Sequence, residues 1–342
     1  MRAVVIREHG GIDRLLMEEY PVPEPGHGEV RIAVRGVGLN HLDVWVRRGV
    51  PGHRFPLPIV PGCDISGTVD LAGAGSGRFR VGDEVVVAPG YSCGHCAHCR
   101  SGRDALCRHY GIRGESCDGG CTEFVVVPES HLFPKPDRLS FQEAAAMPLV
   151  FLTAWHMLVQ RARLRAGEKV LIHAAGSGVS SAAIQIARLL GARVMATAGN
   201  AEKCRLAREL GAEEAVNYRE TDFRAEVRNW TGKAGVEVAL DHVGAETFSP
   251  TLACLAKGGR YVTCGSTSGF EMKTDFRLVF FKSISILGST MGSDHELETV
   301  LQLAGEGRLK PVLEQTLPLE KVGEAHRHLE GRQALGKTVL VP

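Results

Sequence analysis

The 342-residue chain lacks a surplus of charge of either sign: 40 lysines and arginines face 39 aspartates and glutamates, a formal net charge of +1. With no basic excess to neutralise phosphates, a nucleic acid is not expected as the main partner. Long apolar runs are also missing. The most apolar stretch, residues 144–152, is broken by Pro148 and falls far short of the ~20 apolar residues of a membrane span. No membrane association is expected. The opening residues Ala3 to Ile6 run straight into Arg7 and Glu8, so the ~7–15-residue apolar region of a secretory signal is absent and a cytoplasmic protein is expected. Internal repeats and low-complexity tracts are absent as well.

What is present is the composition of an ordinary globular protein, 44% hydrophobic and 23% charged, in a chain long enough for two domains. Up to about residue 145 it reads as short β-branched runs, such as Val30 to Val37 and Glu84 to Ala88, punctuated by Gly and Pro. That pattern is all-β with irregular loops. From Glu168 the rhythm changes. Apolar runs Val170 to Ala174, Arg193 to Ala198, Val236 to Leu240, Arg260 to Cys264 and Ile284 to Leu287 recur, most of them separated by helical patterns. Such alternation predicts a parallel sheet covered on both faces. The first helix sets Val179, Ala182, Ala183, Ile186, Ala187 and Leu190 on one stripe, with Gly191 as its stop. A helix over His295 to Gly305 and a strand over Lys337 to Val341 form a tail too short to be a domain, expected to rejoin the first one.

The chain has ten cysteines, which without a secretory signal point to metal or redox chemistry rather than a disulfide framework. Cys93, Cys96, Cys99 and Cys107 stand as C-x2-C-x2-C-x7-C in a polar loop spanning 90–111. Four thiolates close a tetrahedral Zn²⁺ site with no position left for water, so one structural zinc per chain is expected. An iron–sulfur cluster suits this spacing less well. His95, His98 and His109 are nearby substitutes as ligands, though solvated loop histidines are commoner. Cys117 and Cys121 flank a turn as a candidate second thiol pair, while Cys204, Cys254 and Cys264 read as core.

The run Val170 to Ala174, followed by Ala175, Gly176, Ser177, Gly178, Val179 and Ser180 and then a helix, is the strand, tight turn and helix of a dinucleotide site. Small residues let the backbone approach a pyrophosphate at the positive helix N-terminus. About 20 residues on, where an acidic residue would hold the ribose of NAD, the chain has Ala198, and residues 196–200 contain no Asp or Glu. A 2′-phosphate would meet no repulsion there. With Asn200 and Lys203 placed to bind it, NADP(H) is favoured over NAD(H). Thr153, Tyr218 and Gly265 are read as further cofactor contacts.

A β domain, a four-cysteine lobe and a Rossmann unit in this order resemble the medium-chain dehydrogenase/reductase superfamily, over essentially the whole chain. Further landmarks are Gly38 to Asp43, Val81 to Val85, Asp241 to Gly244, and Gly336-Lys337. The resemblance implies an α/β fold. It divides into a GroES-like catalytic domain over 1–146, a Rossmann domain over 147–290, and a return to the first domain over 291–342. It also implies a cleft between the domains and a homodimer or homotetramer acting on a small-molecule substrate. Zinc alcohol dehydrogenases of the superfamily hold a second, catalytic zinc with a cysteine, the histidine of Gly-His-Glu and a further cysteine. These positions fall here at Asn40, at Gly62-Cys63-Asp64 and at Leu149. Asn40 followed by Asp43 is instead similar to the zinc-free quinone oxidoreductases, and Ser180 replaces the glycine usual in both groups, which predicts a sterically tighter turn.

Without a Lewis acid, polarising a plain ketone is hard, whereas hydride addition to an enone or quinone gives a delocalised anion that hydrogen bonds can meet. The expectation is therefore an oxidoreductase acting on an enone or quinone, with Asn40 and Asp43 as catalytic residues. Trp45, His41 and Phe55 are candidates for the substrate cleft. One alternative is a zinc-dependent alcohol dehydrogenase with Cys63 and Asp64 at its metal. Another is a non-catalytic cofactor-binding or RNA-binding protein, against which the +1 charge argues.

Overall fold

The computed structural model describes residues 1–342 as two compact units, Met1–Val150 with Gly292–Pro342, and Phe151–Met291. The division falls at 150/151 and 291/292, a few residues from the boundaries read in the sequence, because the helix Pro148–Trp155 straddles the first of them.

In the first unit a seven-stranded sheet is built around the long strand Glu29–Gly38. Its alternating Val30, Ile32 and Val34 point into a core shared with Ile65, Val85, Val125 and Leu132, each buried aliphatic contributing roughly 1.5–3 kcal/mol. The end of this strand positions the first site. Gly38 lies opposite Asp64 of the strand Asp64–Ala72 on one side and opposite Val339 of Lys337–Val341 on the other. Gly38 is obligatory, since a Cβ there would come within 2.1 Å of Ala145 O. That antiparallel pairing of Lys337–Val341 with Glu29–Gly38 is how residues more than 290 positions apart come to adjoin, and the C-terminal strand also runs parallel to Leu313–Pro318.

The second unit is a six-stranded parallel sheet: β1 (Lys169–Ile172), β2 (Arg193–Ala198), β3 (Glu214–Asn217), β4 (Val236–Asp241), β5 (Leu255–Thr263) and β6 (Ser285–Gly288). Its order is β3-β2-β1-β4-β5-β6, the doubly wound arrangement whose switch point lies beside β1. β3 was not read from the sequence, because Glu, Ala and Asn are weak strand formers and the run is short. α1 (Gly178–Leu189) buries Ala182, Ala183, Ile186 and Ala187 as its stripe requires, yet Val179 and Leu190 are only half-buried and Ile184 is buried too. Gly191 follows at φ +79, the left-handed stop. No helix is long and apolar enough to cross a membrane.

Candidate functional site

The polar lobe is closed by a two-rung ladder, Gly90–Tyr91 against Gly111–Ile112, and between them only Cys107 is buried. Within it the sulfurs of Cys93, Cys96, Cys99 and Cys107 all lie within 4.8 Å of one another, with Cys93 to Cys99 at 3.8 Å and Cys96 to Cys99 at 3.4 Å. A zinc–sulfur bond of ~2.3 Å implies tetrahedral edges of about 3.8 Å, so the four thiols fit a zinc ion. The backbone N–H groups of His95 and Cys96 lower the Cys93 thiol to about 6, toward the thiolate a metal needs. This is the one group of three or more potential ligands in the protein. His95, His98 and His109 stay outside it. All ten cysteines are free, and Cys117 and Cys121 join no metal-binding group.

The second cluster lies at the end of the Glu29–Gly38 strand and brings together five residues singled out by sequence, Asn40, Asp43, Cys63, Asp64 and Leu149, with Lys337, which was not. Asn40 is 5% exposed. Its Nδ2 donates to Asp64 Oδ2 at 2.9 Å and lies 3.2 Å from Gly38 O and 3.5 Å from Cys63 Sγ. Its Oδ1 accepts from Lys337 Nζ at 2.6 Å, and the same ammonium reaches Leu39 O at 2.7 Å and Asp64 Oδ2 at 3.0 Å. All three lysine hydrogens are thus engaged. Leu149, without a side-chain donor, contributes its backbone N–H to Asp64 Oδ1 at 2.7 Å. Asp43 stands one layer back, accepting from Asn40 N at 2.7 Å and from Gly62 N at 3.0 Å. Burial raises its pKa to about 6, and burial likewise pushes the Cys63 thiol up. Sequence reasoning noticed Lys337 only as a landmark. A lone lysine in a β-branched terminal strand was the available signal.

Of the substrate-cleft candidates, His41 meets Trp45 edge-to-face at 5.6 Å between centroids, and Phe55 packs beside the small core of Ile6, Val46 and Ile59.

The third cluster is the turn after β1. Ala174 adopts φ +56 as the chain leaves the strand, and Ser177 caps α1 by accepting the Ser180 N–H at 3.1 Å. Ser180 sits in the first turn of α1 with helical geometry, and no strained backbone results from the missing glycine. A Cβ at Gly176 would fall 2.6 Å from Lys203 Cδ, so the lysine stem lies directly on the turn. Asn200 caps α2 (Ala201–Glu209) by accepting the Lys203 N–H at 2.8 Å. Across from it, Tyr218 and Arg219 flank Gly199, as the 2.8 Å and 3.5 Å approaches of Tyr218 Oη and Arg219 Nε to a hypothetical Cβ there indicate. Arg219, just beyond β3, went unnoticed in the sequence although its neighbour Tyr218 was singled out. Gly265 follows β5, its N–H on Thr263 Oγ1 at 3.3 Å. Thr153 is buried in the helix Pro148–Trp155.

A Rossmann turn beside a switch point, joined in one chain to a GroES-like β unit, defines an NAD(P)-dependent oxidoreductase. Residues 26–137 match the family model described as alcohol dehydrogenase GroES-like domain, and residues 178–306 the one described as zinc-binding dehydrogenase. The chain belongs to the medium-chain dehydrogenase/reductase superfamily. It is 31% identical to human quinone oxidoreductase, over 100% of this chain and 98% of the relative. It is 32% identical to an NAD-dependent alcohol dehydrogenase of Saccharolobus solfataricus, over 100% of both chains. Among solved structures, one described as NAD-dependent alcohol dehydrogenase has a TM-score of 0.97 and 52% identity, covering 100% of both chains.

Proposed function

We propose that the protein reduces a conjugated carbonyl, an enone or a quinone, with NADPH and without a catalytic metal, and that its cysteine lobe holds one structural zinc. The observation that carries this reading is the Lys337 ammonium on Asp64 and Asn40. At the positions where a catalytic zinc would find its ligands, the donors are one thiol and a carboxylate already engaged by a cation, an amide and a backbone N–H. That set does not suit an open zinc site.

NADPH, when bound, supplies the hydride. The negative charge that builds on the substrate oxygen is spread by conjugation, so hydrogen-bond donors suffice to meet it. One Nδ2 hydrogen of Asn40 is committed to Asp64; the other rests on the long contacts to Gly38 O and Cys63 Sγ, and it is the donor that turns to the substrate. Lys337 holds the amide oxygen, and Asp43 holds the loop through Asn40 N–H and Gly62 N–H. Asn40→Ala is expected to lower kcat for an enone or quinone about a hundred- to a thousandfold, the ~2.7–4 kcal/mol of one oxyanion donor, with little change in dinucleotide affinity. Brisk alcohol oxidation that chelation and Cys63→Ser abolish would overturn the reading.

The preference for NADPH is supported by the absence of an acidic residue at 196–200 and by Lys203, Tyr218 and Arg219 around the ends of β2 and β3. Lys203→Ala is expected to weaken NADPH binding by ~1.5–3 kcal/mol, as for a hydrogen bond to a charged group, and NADH binding by less. Tighter binding of NADH by the unaltered protein would overturn it. A second reading, an NAD-dependent alcohol dehydrogenase, is favoured by the 52% identity to the structure so described; two zincs per chain instead of one would select it.

For partners beyond the substrate, a homodimer or homotetramer is supported by β6. It is the last strand of its sheet, and Phe276, Phe280, Phe281 and Ile286 are exposed around it, a combination that invites pairing with another chain.

A further inference from the structure

The cofactor turn rests on a network of imidazoles and hydroxyls that joins Ser177 and Ser180 to His242 and His173. Ser180, where the resemblance leads one to expect glycine, is fully buried, and its hydroxyl donates to His173 O at 2.6 Å. It has no second proton for His242 Nε2, 3.0 Å away. That contact is a hydrogen bond only when Nε2 itself carries hydrogen. The same Nε2 lies 2.9 Å from Ser177 Oγ, and in that tautomer it accepts nothing from it. In that tautomer the Ser177 hydroxyl hydrogen is left without an acceptor in the protein, although its oxygen caps α1.

His173 obeys the same count. Thr251 spends its proton on Thr247 O at 2.5 Å, so His173 Nε2–H donates to Thr251 Oγ1 at 2.8 Å and Nδ1 accepts from Thr197 Oγ1 at 2.9 Å. Burial lowers the pKa of both imidazoles, which keeps them neutral. Asp241 opposes that shift, but its own oxygens are engaged by Val243 N, Thr247 Oγ1 and Tyr261 Oη at 2.7, 2.6 and 3.0 Å.

We propose that His242 is a positioning residue for the dinucleotide: its Nε2–H, shared by Ser180 and Ser177, turns the Ser177 hydroxyl hydrogen toward a pyrophosphate oxygen at the start of α1. The proposal rests on the cofactor reading above. It also gives Ser180 a role that a glycine could not fill, since the serine's oxygen offers an acceptor to Nε2–H.

The test begins with the unaltered protein, whose His173 and His242 should both show the Nε2–H tautomer in long-range ¹H–¹⁵N spectra. NADP⁺ and NAD⁺ are then titrated separately. H242L should weaken both by the same factor, about tenfold or more for one hydrogen bond to a charged group. KM for the dinucleotide should rise with kcat unchanged. H242Q, which keeps a donor near the Nε2 position, should stay within about threefold of the parent, and adding S177A to H242L should cost nothing further. An Nδ1–H tautomer at His242, unaltered affinities in H242L, or a loss confined to NADP⁺ would each overturn the proposal. If H242L does not fold, the native tautomer and the H242Q titrations still decide it. Should the unaltered protein bind neither dinucleotide, the cofactor reading falls and this proposal with it; tight binding by both parent and H242L defeats this proposal alone.

Discussion

The cysteine lobe and the Asn40–Asp64–Lys337 cluster belong to the same unit and are built in opposite ways. In the lobe, four chemically active side chains come from fifteen consecutive residues, 93–107, with almost no buried apolar support. In the cluster the partners lie 24 and 297 positions from Asn40, and the sheet register of Gly38 against Asp64 and Val339 brings them together. On the proposed zinc assignment the first depends on a ligand for its order and the second on a core. Removing a metal should therefore disturb the lobe alone, whereas unbalancing one charge in the cluster should be felt by the whole unit.

Lys337→Met gives the largest expected effect. It leaves Asp64, which is fully buried, without its cation, and breaking such a pair by removing one partner costs ~3–5 kcal/mol. Equilibrium denaturation should register this loss, and the double variant Lys337→Met/Asp64→Leu should recover much of it. A neutral Lys337→Met would mean that the pair is not a structural support and would erase the contrast.

Cys96→Ser sharpens the comparison from the other side. Elemental analysis should fall from about one zinc per chain to none. Proteolysis should then cut within residues 90–111, while the melting of the main sheets moves less than in Lys337→Met. A parent protein without zinc would defeat the assignment of the lobe.

The smallest effect concerns pH. Burial raises Asp43 from 3.8 to about 6, so the folded state favours its protonated form more than the unfolded state does. This contribution to stability is fully present below about pH 3.8 and is lost as pH rises through about 6, with a slope of at most ~1.4 kcal/mol per pH unit. Asp43→Asn should flatten that part of the stability profile, and an unchanged slope between pH 4 and 6 would refute the assignment. Over the same range the lobe should respond in the opposite sense, since acid protonates thiolates and releases metal.

How much of this was legible depended on whether the determining contacts were local. Cys93 to Cys107 could be read because ligand spacing within one loop is itself the geometry. The turn at Ala175 to Ser180 could be read because a strand, small residues and a helix follow one another directly. β3 could not, since Glu214 to Asn217 are strand only because Met195 to Ala198 pair with them. Asn40 was singled out by resemblance, but its amide orientation was not in the sequence.

By itself the sequence determined the class of fold, the grouping of the four lobe cysteines and the existence of a dinucleotide turn, because each follows from periodicity or spacing over a few dozen residues. Only the tertiary structure decided that the ammonium of Lys337 stands on Asp64 and Asn40, and that His242 faces both serines of the turn. Those contacts join segments distant in the chain, and for Lys337 and Asp64, which lie on strands, a one-residue change of register would turn the side chain to the opposite face of the sheet.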